Sequence, residues 1–291
     1  MSQTSTATLP RDDEHWDTII TSKAPLFDFR LGEVWRYRDL LVLFVKRDIA
    51  QVYKQTILGP LWFFIQPFIT TIVFTVIFGN LAEISTDGIP PILFYLAGIT
   101  FWNFFADALN KSSAVFRDNA NIFGKVYFCR LVLPLSIVAN HFIKFSIQLL
   151  MFIIVYGYFM SVNDAVRPNA HALLFPLLVL ITAGLAFGFG LIITSLTAKY
   201  RDLFFLIQFG IQLWFFATPV VYPLSEVDPE NRIYAVLNPM TAVVETFKYG
   251  FTGVGTFEWS YLAYSTGFAV FIVLLGILVF NRIEKTFVDI I

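Results

Sequence analysis

Long uncharged apolar runs alternate with short polar breaks along this chain. Residues 58–81 carry no charge over 24 positions. As a helix they reach roughly 36 Å, enough to cross a hydrocarbon core of about 30 Å with some tilt. Similar runs cover 88–115, 131–160, 172–198, 203–222 and 259–281, so the pattern predicts six membrane spans. Pro60 falls in the first turn of the first run, where a missing N–H costs little. Pro67 lies inside that run and predicts a kink. Gly184 and Gly188 have the spacing that lets membrane helices approach closely. Residues 223–258 are too broken to form a span. There Asp228-Pro229 and Asn238-Pro239 each read as an N-cap followed by proline at the first helical position, with Gly250 as a stop. The predicted element is a re-entrant or surface hairpin of two short helices on the outer side.

Ahead of the first span, residues 34–54 place Trp35, Val42, Val45, Ile49 and Val52 at helical spacing, with Arg36, Asp39, Arg47 and Lys54 on another face. One reading is an interfacial helix on the cytoplasmic membrane surface, with Trp35 at the boundary and Arg36, Arg38 and Arg47 toward lipid phosphates. The other is a solvated helix leading into the span. The division that follows is a flexible cytoplasmic N-terminus (1–33), an amphipathic interfacial helix (34–57), a six-span membrane domain (58–285) and a cytoplasmic tail (286–291). The first thirty residues are polar, without the apolar core of a signal peptide, which predicts that this end stays in the cytoplasm.

Charge sets the orientation. Eight Lys and Arg lie in 1–57, four in 107–130, two in 199–202 and two in 282–291, whereas the opposite segments hold only Arg167, Arg232 and Lys248. Positive charge marks the cytoplasmic side, so both ends are predicted inside. Residues 117–130, with Arg117, Lys125 and Arg130 between two apolar runs, form a break that must stay in water, because a charge at bilayer depth costs about 2.5–3.5 kcal/mol or more. A cytoplasmic machine could push on the spans there; a plain loop is the alternative. Asp107 and Lys111, at i,i+4 spacing, could pair at the end of the second span. Lys144, deep in the third, could pair with an acid, snorkel or face a wet cavity.

Composition supports the membrane reading: 57% of the 291 residues are hydrophobic and 14% charged, with a mean hydropathy of +0.70, where soluble domains carry about 25% charged residues. A net charge of −1 offers nothing to nucleic acid. Cys129 is the sole cysteine, so neither an internal disulfide nor a Cys-rich metal site is expected. No nucleotide-binding glycine pattern or metal-ligand spacing occurs. Acids and bases are scarce inside the runs, which weighs against a membrane enzyme and against ion-driven transport. What the runs do carry is amides and aromatics. Trp62, Gln66 and Thr70 recur every fourth position on one face of the first span, and Phe205, Gln208, Phe209, Gln212 and Phe216 share a face of the fifth. Amides are costly against lipid, whereas rings and amides together suit a sugar chain, whose C–H faces stack while its hydroxyls bond. Packing and interfacial placement remain the alternative for any one of these residues, since 34 Phe, 12 Tyr and 6 Trp must be accommodated.

Several stretches occur together in a recognisable order: YKQTILGPLWFFIQPFITTIVFTVIFG (53–79), NANIFGKVYFCRLVLP (119–134), KYRD (199–202), QLWFFATPVVYP (212–223) and YAVLNPMTAVVETFKYGF (234–251). The chain resembles the ABC-2 type permeases that export polysaccharides, above all those for O-antigen and lipopolysaccharide, with teichoic-acid exporters close by. Cys129 stands where many of these have proline. The resemblance covers about 34–285. It implies a homodimer in the bacterial inner membrane joined by two copies of a separate ABC ATPase, which binds the ATP and Mg; this chain needs no cofactor or metal. It implies that Asn119, Asn121, Ile122, Phe123, Gly124 and Lys125 form the helix that couples to the ATPase. It also implies that Asn238, Pro239 and Glu245 belong to an outer gate, and that the cargo is a glycan on a polyprenyl diphosphate. A drug or lipid exporter of the same architecture is an alternative. From another class, a membrane-bound glycosyltransferase or ligase acting on lipid-linked sugars would work without any ATPase.

Overall fold

The computed structural model describes residues 31–54, 57–115, 118–119, 128–163, 166–200 and 202–284. The elements among them are helices joined by turns. Helix α1 (Leu31–Arg36) is followed by α2 (Arg38–Tyr53). The single helix expected over 34–54 is broken at Tyr37, whose φ of −94° and ψ of 17° leave the helical region. The buried face of α2 is also narrower than the sequence pattern suggests. Phe44 and Val45 are buried while Trp35 and Val42 stay exposed. Phe44 meets the ring of Phe128 at 5.9 Å in a cluster with Cys129 and Val132, which seats α2 on the start of the helix that follows Phe128.

Among the described residues, five segments are long and apolar enough to cross a membrane: Trp62–Leu81, Pro91–Ser112, Val132–Val162, Ala170–Lys199 and Trp259–Ile283. The first is α3 (Trp62–Phe74), which runs through Pro67 and continues as a π-helical turn over Thr75–Leu81. The second is α4 (Pro91–Ser112), begun by a proline at its first turn. The third is α5 (Val132–Val162). The fourth is α6 (Phe175–Lys199), preceded by a 3₁₀ turn at Ala170–Leu174. The fifth is α10 (Trp259–Glu284). Helix α4 is the centre of the molecule, with Leu93, Tyr95, Phe101, Phe105, Ala108 and Leu109 fully buried. Helix α3 keeps only Pro67 and Thr71 buried, so it lies at the edge of the single chain.

The run expected at 203–222 forms a shorter helix, α7 (Leu203–Phe216, 14 residues), about 21 Å long at 1.5 Å per residue. The chain stops being helical because Pro219 has no N–H to donate and because Val220 turns inward onto Gly98. A β-carbon at Gly98 would lie 3.1 Å from the Val220 Cα, so a larger residue there would push Val220 back by a few tenths of an ångström. The two short helices between α7 and α10 are α8 (Arg232–Val236) and α9 (Pro239–Thr252). Asn238 caps α9 as expected, its side chain accepting from the Met240 N–H at 3.0 Å. Two boundaries differ from the sequence reading. Helix α8 starts at Arg232 after a turn in which the Asp228 carbonyl accepts from Asn231 and Arg232. Helix α9 runs past Gly250 and ends at Gly253, whose φ of +75° is left-handed. Gly250 serves instead as a contact: a β-carbon there would meet the backbone of Ala172 at 3.0–3.1 Å.

The glycine spacing in α6 has a structural counterpart. A β-carbon on Gly188 would fall 2.7 Å from the Ile272 carbonyl, and one on Gly276 would fall 2.5 Å from the Gly188 oxygen. Helices α6 and α10 therefore touch backbone to backbone. Gly184, by contrast, sits at ordinary distance from Ala269 and Val273.

Candidate translocation faces, inner rim and outer cap

At one end of the molecule, the close of α4 meets α2 and the start of α5. Lys111 pairs with Asp118 at 2.8 Å rather than with Asp107 one turn back. The turn after Ser112 brings Asp118 over the end of α4. Arg47 pairs with Asp48 at 2.7 Å and lies over the Phe44 ring at 4.9 Å. Both pairs line a cavity of about 280 Å³, with Gln51, Asn119 and Ser136 supplying further polar groups. Its two cations are matched by two acids. Asn119 is buried and donates to the Val115 carbonyl at 2.9 Å, tying the start of the expected coupling stretch to the helical turn before it. The other residues expected there, Asn121, Ile122, Phe123, Gly124 and Lys125, lie outside the described residues. Of the expected interfacial set, Trp35, Arg36 and Arg38 are exposed, Arg38 standing over the Trp35 ring at 5.3 Å.

In the middle, the amide–aromatic residues of α3 and α7 point away from the packed core. Trp62, Gln66, Phe205, Phe209, Gln212 and Phe216 are exposed, while Thr70 and Gln208 are half-buried. Thr70 donates its hydroxyl to the Gln66 carbonyl at 2.9 Å. The opposite side of α7 makes the packing: Trp214 meets Phe105 at 5.0 Å and Phe189 at 5.2 Å, and Phe215 meets Trp102 at 5.5 Å. Phe215 also meets Phe74 of α3 at 5.7 Å, so the two helices are neighbours. Each leaves a face carrying both rings and a glutamine uncovered. Lys144 on α5 is half-buried, with its ammonium 5.3 Å from the Phe63 ring.

At the other end, α8 and α9 cap the bundle. Pro239 is buried, and Asn238 and Glu245 are 8% and 2% exposed, so these three expected gate residues are all interior. Asn238 donates to the Ala217 carbonyl at 3.2 Å and to Thr218 Oγ1 at 2.8 Å. The central contact is one the sequence reading passed over as a loop cation. Lys248, 1% exposed, pairs with Glu245 at 3.2 Å, donates to the Pro219 carbonyl at 2.7 Å and stands 3.5 Å from the centroid of the Phe94 ring on α4. Burial pushes the Glu245 carboxyl up and the Lys248 ammonium down, and each partner opposes the other's shift. The i,i+3 spacing of an acid and a base is the signal the sequence carries for this pair; spacing alone does not say that the pair is buried.

Among the described residues, five long apolar helices and a short sixth define a multi-pass membrane protein. Residues 39–252 match the ABC-2 type transporter family model, and the chain belongs to the ABC-2 type transporter family. It is a transport subunit and not an enzyme. It is 30% identical over 258 residues to the O-antigen export system permease protein RfbA of Klebsiella pneumoniae, covering 87% of this chain and 95% of the relative. A second Klebsiella pneumoniae protein of that name is 28% identical with the same coverage. That of Myxococcus xanthus is 29% identical over 221 residues, 74% of this chain and 81% of the relative.

Proposed function

We propose that this chain is the permease subunit of an ATP-driven exporter that carries a lipid-linked polysaccharide of the O-antigen class across the bacterial inner membrane. The observation that carries this reading is the similarity to O-antigen export permeases along 95% of a relative's length. The uncovered faces of α3 and α7 support it. Gln66 and Gln212 would be costly against lipid, and rings beside amides fit a glycan better than an apolar cargo.

In this reading a second copy of the chain closes the exposed faces into a conduit. Helix α7 and residues 217–222 together complete the sixth crossing, and both termini are cytoplasmic. Helices α1 and α2 lie at the inner interface with Trp35, Arg36, Arg38 and Arg47. Residues 223–258 form the outer cap, re-entrant between the last two spans. Of the division into 1–33, 34–57, 58–285 and 286–291, residues 1–30 and 285–291 lie outside the described residues, and α1 begins at Leu31, so the interfacial helices start inside the first unit. Two copies of a soluble ABC ATPase, holding ATP and Mg, press on Asn119–Lys125.

Replacing Phe123 by alanine or Gly124 by leucine is expected to lower surface polysaccharide about tenfold, a loss of coupling of about 1.4 kcal/mol, while the chain still reaches the membrane. The measurement is cell-surface glycan in a strain producing the chain and its ATPase. Unchanged export with unchanged ATPase association removes the coupling role. Exchanging Trp62, Phe209 and Phe216 together for alanine removes about 0.5–1.5 kcal/mol of ring contact each, so glycan transfer is expected to fall tenfold or more with the complex still assembled. Full transfer by the triple variant excludes these faces as the path.

A further inference from the structure

Helix α7 ends at Phe216, shortly before Pro219, and a broken helix end leaves carbonyls that water cannot satisfy inside a protein or a bilayer. Two side chains of the cap meet this need. Asn238, the N-cap of α9, donates to the Ala217 carbonyl, and Lys248, nearly three turns further along α9, donates to the Pro219 carbonyl at 2.7 Å. The same ammonium faces the Phe94 ring on α4 at 3.5 Å and pairs with Glu245. Groups on three elements thus converge on one buried ammonium: the Pro219 carbonyl, the Phe94 ring on α4 and Glu245 on α9 itself. Helix α8 has no equivalent. Ile233, Tyr234 and Leu237 are 62%, 72% and 56% exposed. Among the described residues, its ties outward from its own turns are the Tyr264 hydroxyl on the Leu237 carbonyl, at 2.9 Å, and the Thr241 hydroxyl on the Ala235 carbonyl.

We propose that Lys248 is a positioning residue that clasps α9 to the broken end of α7 and to α4, so that α9 is the fixed floor of the outer gate and α8, with its uncovered Ile233, Tyr234 and Leu237, is the part that moves. The proposal rests on the outer placement of this cap in the exporter reading. Physically, moving α9 away from α7 and α4 would break a charge-assisted hydrogen bond and a cation–π contact together in a site of low dielectric. Moving α8 would break two hydroxyl contacts. The junction at Leu237-Asn238 is where the two behaviours meet.

The test uses the complex with its ATPase in cells, in a Cys129→Ala background, with a membrane-impermeant maleimide added outside. Tyr234→Cys reports on α8 and Thr246→Cys, at a site 3% exposed, reports on α9. Labelling at position 234 is expected to rise severalfold when the ATPase turns over, compared with an ATPase-inactive complex, while position 246 stays protected in both. Adding Lys248→Met to the Thr246→Cys chain is expected to raise labelling at 246 at least fivefold without turnover, and Lys248→Arg is expected to restore protection. Because Lys248→Met leaves a buried carboxylate and could prevent folding, Glu245→Gln/Lys248→Met is tested beside it and is expected to expose 246 as well. Turnover that labels 246 as fast as 234, or a double variant that leaves 246 protected, overturns the proposal. The turnover-independent arm reads the clasp whatever the cargo, so a failure of the polysaccharide reading shows in export and not in this labelling.

Discussion

Leucine in place of Gly188 is expected to separate α6 from α10 and to leave little assembled protein in the membrane. The neighbour that a β-carbon would strike is the Ile272 backbone, at 2.7 Å for both its carbonyl carbon and oxygen. A flexible side chain can yield a few tenths of an ångström, but a helical carbonyl cannot without breaking its own ladder. Overpacking a core costs about 1–3 kcal/mol when side chains can adjust, and here the obstacle is backbone, so the loss should sit at or above the top of that range. Gly276→Leu makes the reciprocal test, because its β-carbon would meet the Gly188 oxygen at 2.5 Å. Gly184→Ala serves as the control, since its neighbours stand at 3.8 Å, and it should be nearly silent. The measurement is the yield of folded protein after detergent extraction together with its midpoint on titration with SDS. Normal yield and midpoint for both Gly188→Leu and Gly276→Leu would show that the two helices do not meet as described.

The second large effect concerns the buried pair of the cap. Lys248→Met strands the Glu245 carboxylate in an apolar surround. Removing one partner of a buried ion pair costs about 3–5 kcal/mol, whereas replacing both by neutral groups of similar volume is often close to neutral. The expected order of stability on SDS titration is wild type above Glu245→Gln/Lys248→Met, which loses the Pro219 hydrogen bond and the Phe94 contact, with Lys248→Met far below both. Lys248→Met falling no lower than the double variant would mean that the two side chains do not interact in the membrane-embedded protein.

Much of this arrangement is legible along the chain. Uncharged runs of bilayer length name the spans, because every backbone polar group in lipid must be bonded within its own helix. The order of motifs names the family. Asn238-Pro239 marks a helix start, because an amide acceptor followed by a preset φ is a local device that needs no tertiary partner. Gly188 announces a close approach without saying to what. The reading loses accuracy where the deciding contact lies far off in sequence. Lys111 was matched to Asp107 by spacing, yet the turn after α4 delivers Asp118. Gly250 looked like a stop, and packing against Ala172 claimed it instead while Gly253 ended the helix.

The sequence by itself determined that this is a helical membrane protein of the ABC-2 family, which segments are apolar enough to cross and where amides and rings share a helix face. These are properties of composition and of the helical period, which act within a few turns. Only the tertiary structure decided that α4 is the centre and α3 the rim, that α7 stops short at Pro219, and that Lys248 is an interior clasp. Each of those depends on which distant groups can reach an unpaired carbonyl or carboxylate, and that reach is fixed by packing in three dimensions.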